Sequence, residues 1–193
     1  VMQIIKDRQA LHRIPELEWD LPETMAYLKK ALSGFRCRVW EPLPGALAAW
    51  FDFGMDHAIA FRADADALPI TECTGAAYAS THPGKMHACG HDGHMAILLE
   101  LARRLNGKKT LPHNVLLVFQ PGEETPGGAK PICDTGIFEE FGVKAIFGLH
   151  LWPGLEAGTV FSRKQELMAR SSEVTVDIYG KSAHIAKAAE GLD

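Results

Sequence analysis

Met86-His87-Ala88-Cys89-Gly90-His91-Asp92-Gly93-His94 places one thiol, three imidazoles and a carboxylate within nine residues, with two glycines between them. Sulfur and imidazole nitrogen are the donors that bind borderline-soft divalent metals. Glycine lets the backbone turn sharply enough to aim neighbouring side chains at one point. The stretch reads as one wall of a metal centre that activates water for amide hydrolysis. Two plainer readings compete with it, a loop rich in histidine by composition and a small structural zinc site. A structural zinc site carries paired cysteine spacings, and none is present here.

The flanks of this loop place it in an α/β pattern. Residues 95–105 carry Ile97, Leu98, Leu101 and Leu105 at helical spacing, and Asn106-Gly107 stops the helix. Upstream, residues 58–62 form an extended apolar piece that runs into Arg62-Ala63-Asp64-Ala65-Asp66; residues 68–85 read as an irregular loop. Residues 46–53 form another extended piece, expected to make a hairpin or an adjacent strand with 58–62. Residues 114–120 are a continuous apolar run, as in a strand covered on both faces, and end at Pro121-Gly122-Glu123-Glu124. Gly127-Gly128 opens a short helical stretch near 129–133. Residues 144–149 read as a further short buried strand ending at His150. Two helices precede all of this, one over 2–12 and one starting at Pro22. Successive strand ends thus deliver Asp64 and Asp66, then Glu123 and Glu124, then His150, while a helix-capping loop delivers Cys89 and His91. The expected site lies outside the carboxyl ends of the strands. The fold class is α/β, with a mixed, mostly parallel sheet flanked by helices. A second register begins near Glu166, with a period-two strand at 173–179, so residues 1–165 and 166–193 are expected to be separate domains.

Composition narrows the function classes. With 47% hydrophobic and 23% charged residues among 193, the chain is of ordinary globular make-up. A net charge of -4 gives no basic field for nucleic acid or an anionic membrane. No apolar run approaches the ~20 residues of a membrane span, and no secretory signal is visible. Cys37, Cys73, Cys89 and Cys133 lack framework spacing, which fits a reducing, cytoplasmic setting. Cys37, Cys73 and Cys133 read as small buried hydrophobes, and His12, His57, His82 and His113 as surface residues.

Together Cys89, His91, Glu124 and His150 make a mixed S/N/O set of the kind that holds two divalent metals ~3.5–4 Å apart. In an extended segment Glu123 would point away from Glu124 and face substrate as a free base. Each residue alone has a plainer reading: Glu123-Glu124 as a solvated acidic pair, His150 as a core histidine, Asp64 and Asp66 as turn formers. His87 and His94 stand evenly between groups that support the ligands and unrelated positions.

The ordered set Leu11-His12-Arg13-Ile14-Pro15-Glu16-Leu17, Arg62 to Pro69, Met86 to His94, Gln120 to Glu124 and Gly148-Leu149-His150 resembles the di-metal amidohydrolases of the peptidase M20 family. These are relatives of aminoacylase and carboxypeptidase G. The resemblance is strongest to the branch with hippurate hydrolase, auxin-conjugate hydrolases and N-acetyldiaminopimelate deacetylase. It implies Cys89, His91, Glu124 and His150 as metal ligands, with Cys89 bridging. It implies Glu123 as general base, Asp66 as the carboxylate supporting the centre, and Asp64 more weakly as a further catalytic carboxylate. His184 matches a histidine of a smaller lid or dimerisation domain that stabilises the oxyanion. The implied cofactors are two divalent ions, Zn, Mn, Co or Ni, and the implied partner is a second copy of the chain, bound through the lid. Gly180-Lys181-Ser182-Ala183-His184-Ile185 lacks the paired glycines common before that histidine, and the chain reaches only the start of the lid, so it reads as the N-terminal part of such an enzyme.

The expected activity is hydrolysis of N-acylated amino acids, N-acetyldiaminopimelate among them. A metallo-dipeptidase or carboxypeptidase on the same scaffold is the alternative, followed by an inactive truncated module that binds metal or dimerises.

Overall fold

The computed structural model describes residues 2–125, 127–167 and 174–192. Strands β1 (Arg38–Trp40), β2 (Leu47–Phe51), β3 (Ala58–Asp64), β4 (Asn114–Gln120) and β5 (Val143–Gly148) form a single sheet in the order β1-β2-β4-β3-β5. β4 and β5 flank β3 in parallel, while β2 is antiparallel to both β4 and β1. Four of the five strands therefore point the same way, and the sheet is mixed as expected. The expected hairpin between 46–53 and 58–62 does not form. β4 lies between β2 and β3, because its fully apolar run needs a neighbour on both sides as well as cover on both faces.

Alternation along the strands builds two cores. Leu47, Ala49, Phe51, Val115, Leu117 and Phe119 face one side and meet Leu28 and Leu32 of helix α2 (Pro22–Leu32) and Leu98, Leu99 and Leu105 of α3 (His91–Asn106). Ala48, Ala60, Leu116 and Val118 face the other side and meet Ile132 of α4 (Ala129–Asp134) and Ile137 of α5 (Ile137–Glu140). Helix α1 (Met2–His12) packs on α3. Its buried positions are Asp7, Leu11 and His12, whereas Ile5 is exposed. The burial of His12 corrects its expected surface position: an ionic partner on α3 outweighs the imidazole's preference for water. Glu16 is buried too, and its carboxylate accepts hydrogen bonds from the backbone N–H groups of Glu23 and Thr24 at 3.1 and 2.8 Å. It thereby caps the first turn of α2, where intrahelical partners are lacking.

Three further expectations change. Helix α3 starts at His91, four residues before the hydrophobic periodicity begins, so the metal loop runs straight into it. Among the described residues β5 pairs only with β3, and Ile146 and Phe147 are exposed, so its apolar sequence lies in an edge strand there and not in a buried one. Cys73 and Cys133 are exposed and Cys37 is half-buried. β1 and α5 are short elements that the sequence pattern did not announce.

Contacts divide the chain into two units, Val1–Pro153 and Gly154–Asp193. In the second, the expected strand at 173–179 is not formed over 174–179. Val174, Val176 and Ile178 are exposed, and no described residue pairs with them; a ladder needs a neighbour. Residue 173 lies outside the described residues. One 3₁₀ segment (Ile185–Glu190) and an isolated bridge between Lys181 and Leu192 are the regular features described there. No described helix is long and apolar enough to cross a membrane.

Candidate metal centre

The carboxyl ends of β3, β4 and β5 lie side by side, and the first turn of α3 reaches the same edge. The chain enters α3 through Gly90, whose φ of +93° is left-handed backbone that favours glycine. His91 is the hub. Its Nδ1–H donates to the Asp66 carbonyl at 2.8 Å, which leaves Nε2 to face the carboxylates. Around that Nε2 stand Asp64 Oδ2 at 3.6 Å, Glu124 Oε1 at 3.6 Å and Glu123 Oε2 at 3.7 Å. His91 Nε2, Glu124 Oε1 and Asp66 Oδ1 are all buried without a hydrogen bond. The other oxygen of Asp66, Oδ2, accepts the backbone N–H of Glu124 at 3.0 Å and so holds the β4 loop to the β3 loop.

His150 repeats the arrangement. Its Nδ1–H donates to the Leu151 carbonyl at 2.7 Å, and Nε2 lies 3.4 Å from Cys89 Sγ. Donation of the second ring nitrogen to a backbone carbonyl is how proteins fix the tautomer of a metal-binding imidazole. Cys89, His91 and His150 form one set whose donor atoms lie within 4.8 Å of one another; His91, Glu123 and Glu124 form another, and Asp64, His91 and His94 a third.

The local field favours positive charge. Burial alone would depress the His91 pKa, yet the neighbouring Asp66 and Asp64 raise it above the ordinary value. Asp64 is buried, which disfavours its charge, but the hydrogen bond from His94 and the charges of His91 and Arg62 hold its pKa down at about 2. Burial raises the Glu123 carboxyl above the usual range; His91 opposes this, and Asp64 and Glu124 add to it. Burial and the negative Glu124 push the Cys89 thiol up to about 12. That thiol becomes an anion at neutral pH only beside a cation. Buried polar atoms without partners, an excess of carboxylates and a mixed S/N/O donor set fit divalent metal.

Seven of the eight residues singled out in the sequence converge here: Asp64, Asp66, Cys89, His91, Glu123, Glu124 and His150. Glu123 and Glu124 do not diverge as an extended segment would make them; the chain bends after Pro121 and both carboxylates approach His91. Glu123 is the more exposed, 39% against 21% for Glu124. His184 belongs to the second unit and is exposed there, its Nδ1 accepting the Ala186 N–H at 3.2 Å. Arg62 was not singled out. It donates to Asp64 and Gln120, both at 2.8 Å, and lines a groove of about 630 Å³ with Glu123, Ile132, Phe138 and Ile146.

An α/β sheet with carboxylate, imidazole and thiol donors gathered at its carboxyl edge makes a candidate divalent-metal site. Residues 60–191 match the family described as Peptidase family M20/M25/M40, and the chain belongs to that family. An uncharacterized hydrolase of Staphylococcus haemolyticus is 39% identical over 97% of this chain and 50% of its own length. The YXEP protein of Bacillus subtilis, described as a dinuclear metal binding peptidase of the M20 family, is 37% identical. Its crystal structure superposes with a TM-score of 0.77 over 81% of this chain and 45% of that one. A crystal structure from methicillin resistant Staphylococcus aureus is 38% identical with a TM-score of 0.78, over 84% and 44% respectively. The chain thus spans about half the length of the curated relatives it matches.

Proposed function

We propose that the complete protein hydrolyses the amide bond of N-acylated amino acids, N-acetyldiaminopimelate being one candidate, with Cys89, His91, Glu124 and His150 as metal ligands and Glu123 as general base. The carrying observation is the pair of imidazoles, His91 and His150, whose Nδ1–H groups are spent on backbone carbonyls while Nε2 of His91 is buried without a hydrogen bond beside Glu124 Oε1 and Nε2 of His150 turns to Cys89 Sγ. Divalent ions held there, Zn²⁺, Mn²⁺, Co²⁺ or Ni²⁺, would polarise the amide carbonyl and lower the pKa of water. Glu123, the more exposed carboxylate and the one with a raised pKa, takes the proton of the attacking water and passes it to the leaving amine. Asp66 fixes the Glu124 backbone and the His91 ring from behind. Asp64, kept ionised, adds negative charge that favours cation binding. In this reading His184 donates to the developing oxyanion. A lid domain joins two copies of the chain, residues 1–165 being catalytic and 166–193 the start of that lid. The groove beside Glu123 suits a small acylated amino acid, its lining combining apolar Ile132 and Phe138 with the Arg62 cation. Four free cysteines fit a cytoplasmic setting.

The test is Glu123→Gln in the complete protein, assayed on N-acetyl, N-benzoyl and dipeptide substrates. Turnover falls by about 10²–10⁴-fold, the usual contribution of a general base, while metal content stays at the parent level. Retained turnover removes Glu123 from the role. Hydrolysis of dipeptides alone favours the peptidase reading, which the description of the Bacillus subtilis relative supports.

A further inference from the structure

Three imidazoles gather at this edge of the sheet, and they are wired differently. The rings of His94 and His150 are 4.6 Å apart, and those of His94 and His91 are 5.4 Å apart. His91 keeps Nε2 without a hydrogen bond, and His150 turns its Nε2 to Cys89 Sγ. His94 leaves neither nitrogen free. It is 1% exposed, its Nε2 accepts the backbone N–H of Leu151 at 2.9 Å, and its Nδ1 lies 2.5 Å from Asp64 Oδ1. Because Nε2 receives an N–H, it carries the lone pair. The proton is therefore on Nδ1, donated to the carboxylate.

The Leu151 N–H follows His150 directly in the chain, so gripping it sets where His150 leaves β5. A second contact keys the same residue. The side chain of Leu151 lies over the first turn of α3, against Gly90 and Gly93, and a Cβ on Gly93 would stand only 2.5 Å from Leu151 Cδ1. The glycines of the Cys89-Gly90-His91-Asp92-Gly93 run thus form a notch for Leu151, and the histidine one step on takes its N–H.

We infer that His94 is a positioning residue that ties Asp64 at the end of β3 to the backbone after β5, and so presents His150 to Cys89. This places it outside the ligand set, although its atoms lie close enough to Asp64 and His91 to be counted with them. The inference rests on the metal-centre reading above and deepens it.

Two substitutions separate the ring's two tasks. In His94→Asn the amide replaces Nδ1 and can still reach Asp64, but nothing receives the Leu151 N–H. In His94→Gln the longer amide replaces Nε2 and can still accept that N–H. With Zn²⁺ as probe and calorimetric titration of the chain as readout, affinity falls about 10–100-fold in His94→Asn, the usual cost of losing a ligand's support. Most of it returns in His94→Gln. In the unsubstituted chain, nitrogen NMR shows the Nδ1–H tautomer of His94 and keeps it after Zn²⁺ is added, and the Leu151 N–H exchanges slowly. Loss of the Nδ1–H tautomer on adding Zn²⁺, or an equal loss of affinity in both variants, makes His94 a ligand and overturns the inference. Unchanged affinity in His94→Asn also overturns it. If the unsubstituted chain binds no Zn²⁺, the metal reading fails. The inference about His94 is then judged on metal-free protein, where Leu151 N–H exchange must quicken in the Asn variant and not in the Gln variant.

Discussion

Replacement of Gly128 by alanine tests whether the geometry of the β4 loop governs the centre. Gly128 lies under the turn that carries Glu123 and Glu124, and its N–H donates to the Gly122 carbonyl at 3.1 Å. A Cβ at this position would stand 1.9 Å from the Pro121 carbonyl oxygen, 2.8 Å from that of Gly122 and 2.9 Å from Gln120 Nε2. Ordinary contact begins near 3.4 Å, so backbone must separate by about 1.5 Å. Two of the three obstacles are main-chain atoms of the turn itself, which cannot swing aside as a side chain can. Overpacking of this kind costs about 1–3 kcal/mol, with roughly 1 kcal/mol more if the Gly122 hydrogen bond breaks. For a folded unit of this size that is a fall in Tm of roughly 3–12 °C. The functional effect is larger, because a shift of about 1 Å in positioned groups costs on the order of 10²-fold. Zn²⁺ titration and a thermal melt of Gly128→Ala beside the unsubstituted chain measure both effects. Expected are a weakening of about 10–100-fold in Zn²⁺ affinity and a lowered Tm. An alanine variant that melts at the same temperature and binds Zn²⁺ equally well refutes the argument.

Two further predictions concern charge. The buried pair of His12 Nδ1 and Asp92 Oδ2, 2.8 Å apart, raises the His12 pKa and lowers that of Asp92, in each case against the effect of burial. The histidine's contribution is complete below its unfolded value near ~6.5 and is lost as pH rises through its higher folded value; the aspartate's is complete above ~3.9 and is lost as pH falls through its lower one. Urea midpoints should show His12→Asn costing about 2 kcal/mol near pH 5–6 and progressively less towards pH 9; a deficit that grows with pH contradicts the pairing. In the metal-free chain Cys89, its thiol at about 12, should react with iodoacetamide at pH 8 far more slowly than exposed Cys73 and Cys133. Mass spectrometry of the peptides checks this, and labelling of Cys89 first would show its thiol to be much more acidic.

Local sequence carried the parts of this fold that local sequence decides. Helix α2 begins at Pro22, and β4 occupies the predicted 114–120, because periodicity and proline act over a few residues. The convergence of Glu123, Glu124 and His150 was legible for the same reason: each follows an apolar run that ends a strand. What failed depends on distant neighbours. The burial of His12 is decided by Asp92, eighty positions away, and the exposure of β5 by the lack of a strand beyond it among the described residues. The separation of β2 from β3 is decided by β4, which is written fifty residues after the apparent hairpin. At the centre, the backbone groups that set tautomers, the Asp66 and Leu151 carbonyls and the Leu151 N–H, have no sequence signature at all.

The donors of this centre come from the tips of β3, β4 and β5 and from the start of α3, segments that span residues 64 to 150. An ion bound here would close several long excursions of the polypeptide at once, while the opposite rim of the sheet would gain nothing from it. Without one, Asp64, Asp66, Glu123 and Glu124 stand crowded around His91 at that end of the sheet. Supply of metal would then govern persistence as well as chemistry. A starved copy would open first at its carboxyl rim, where a protease finds the long links between strands, and a replete copy would be spared by mass action.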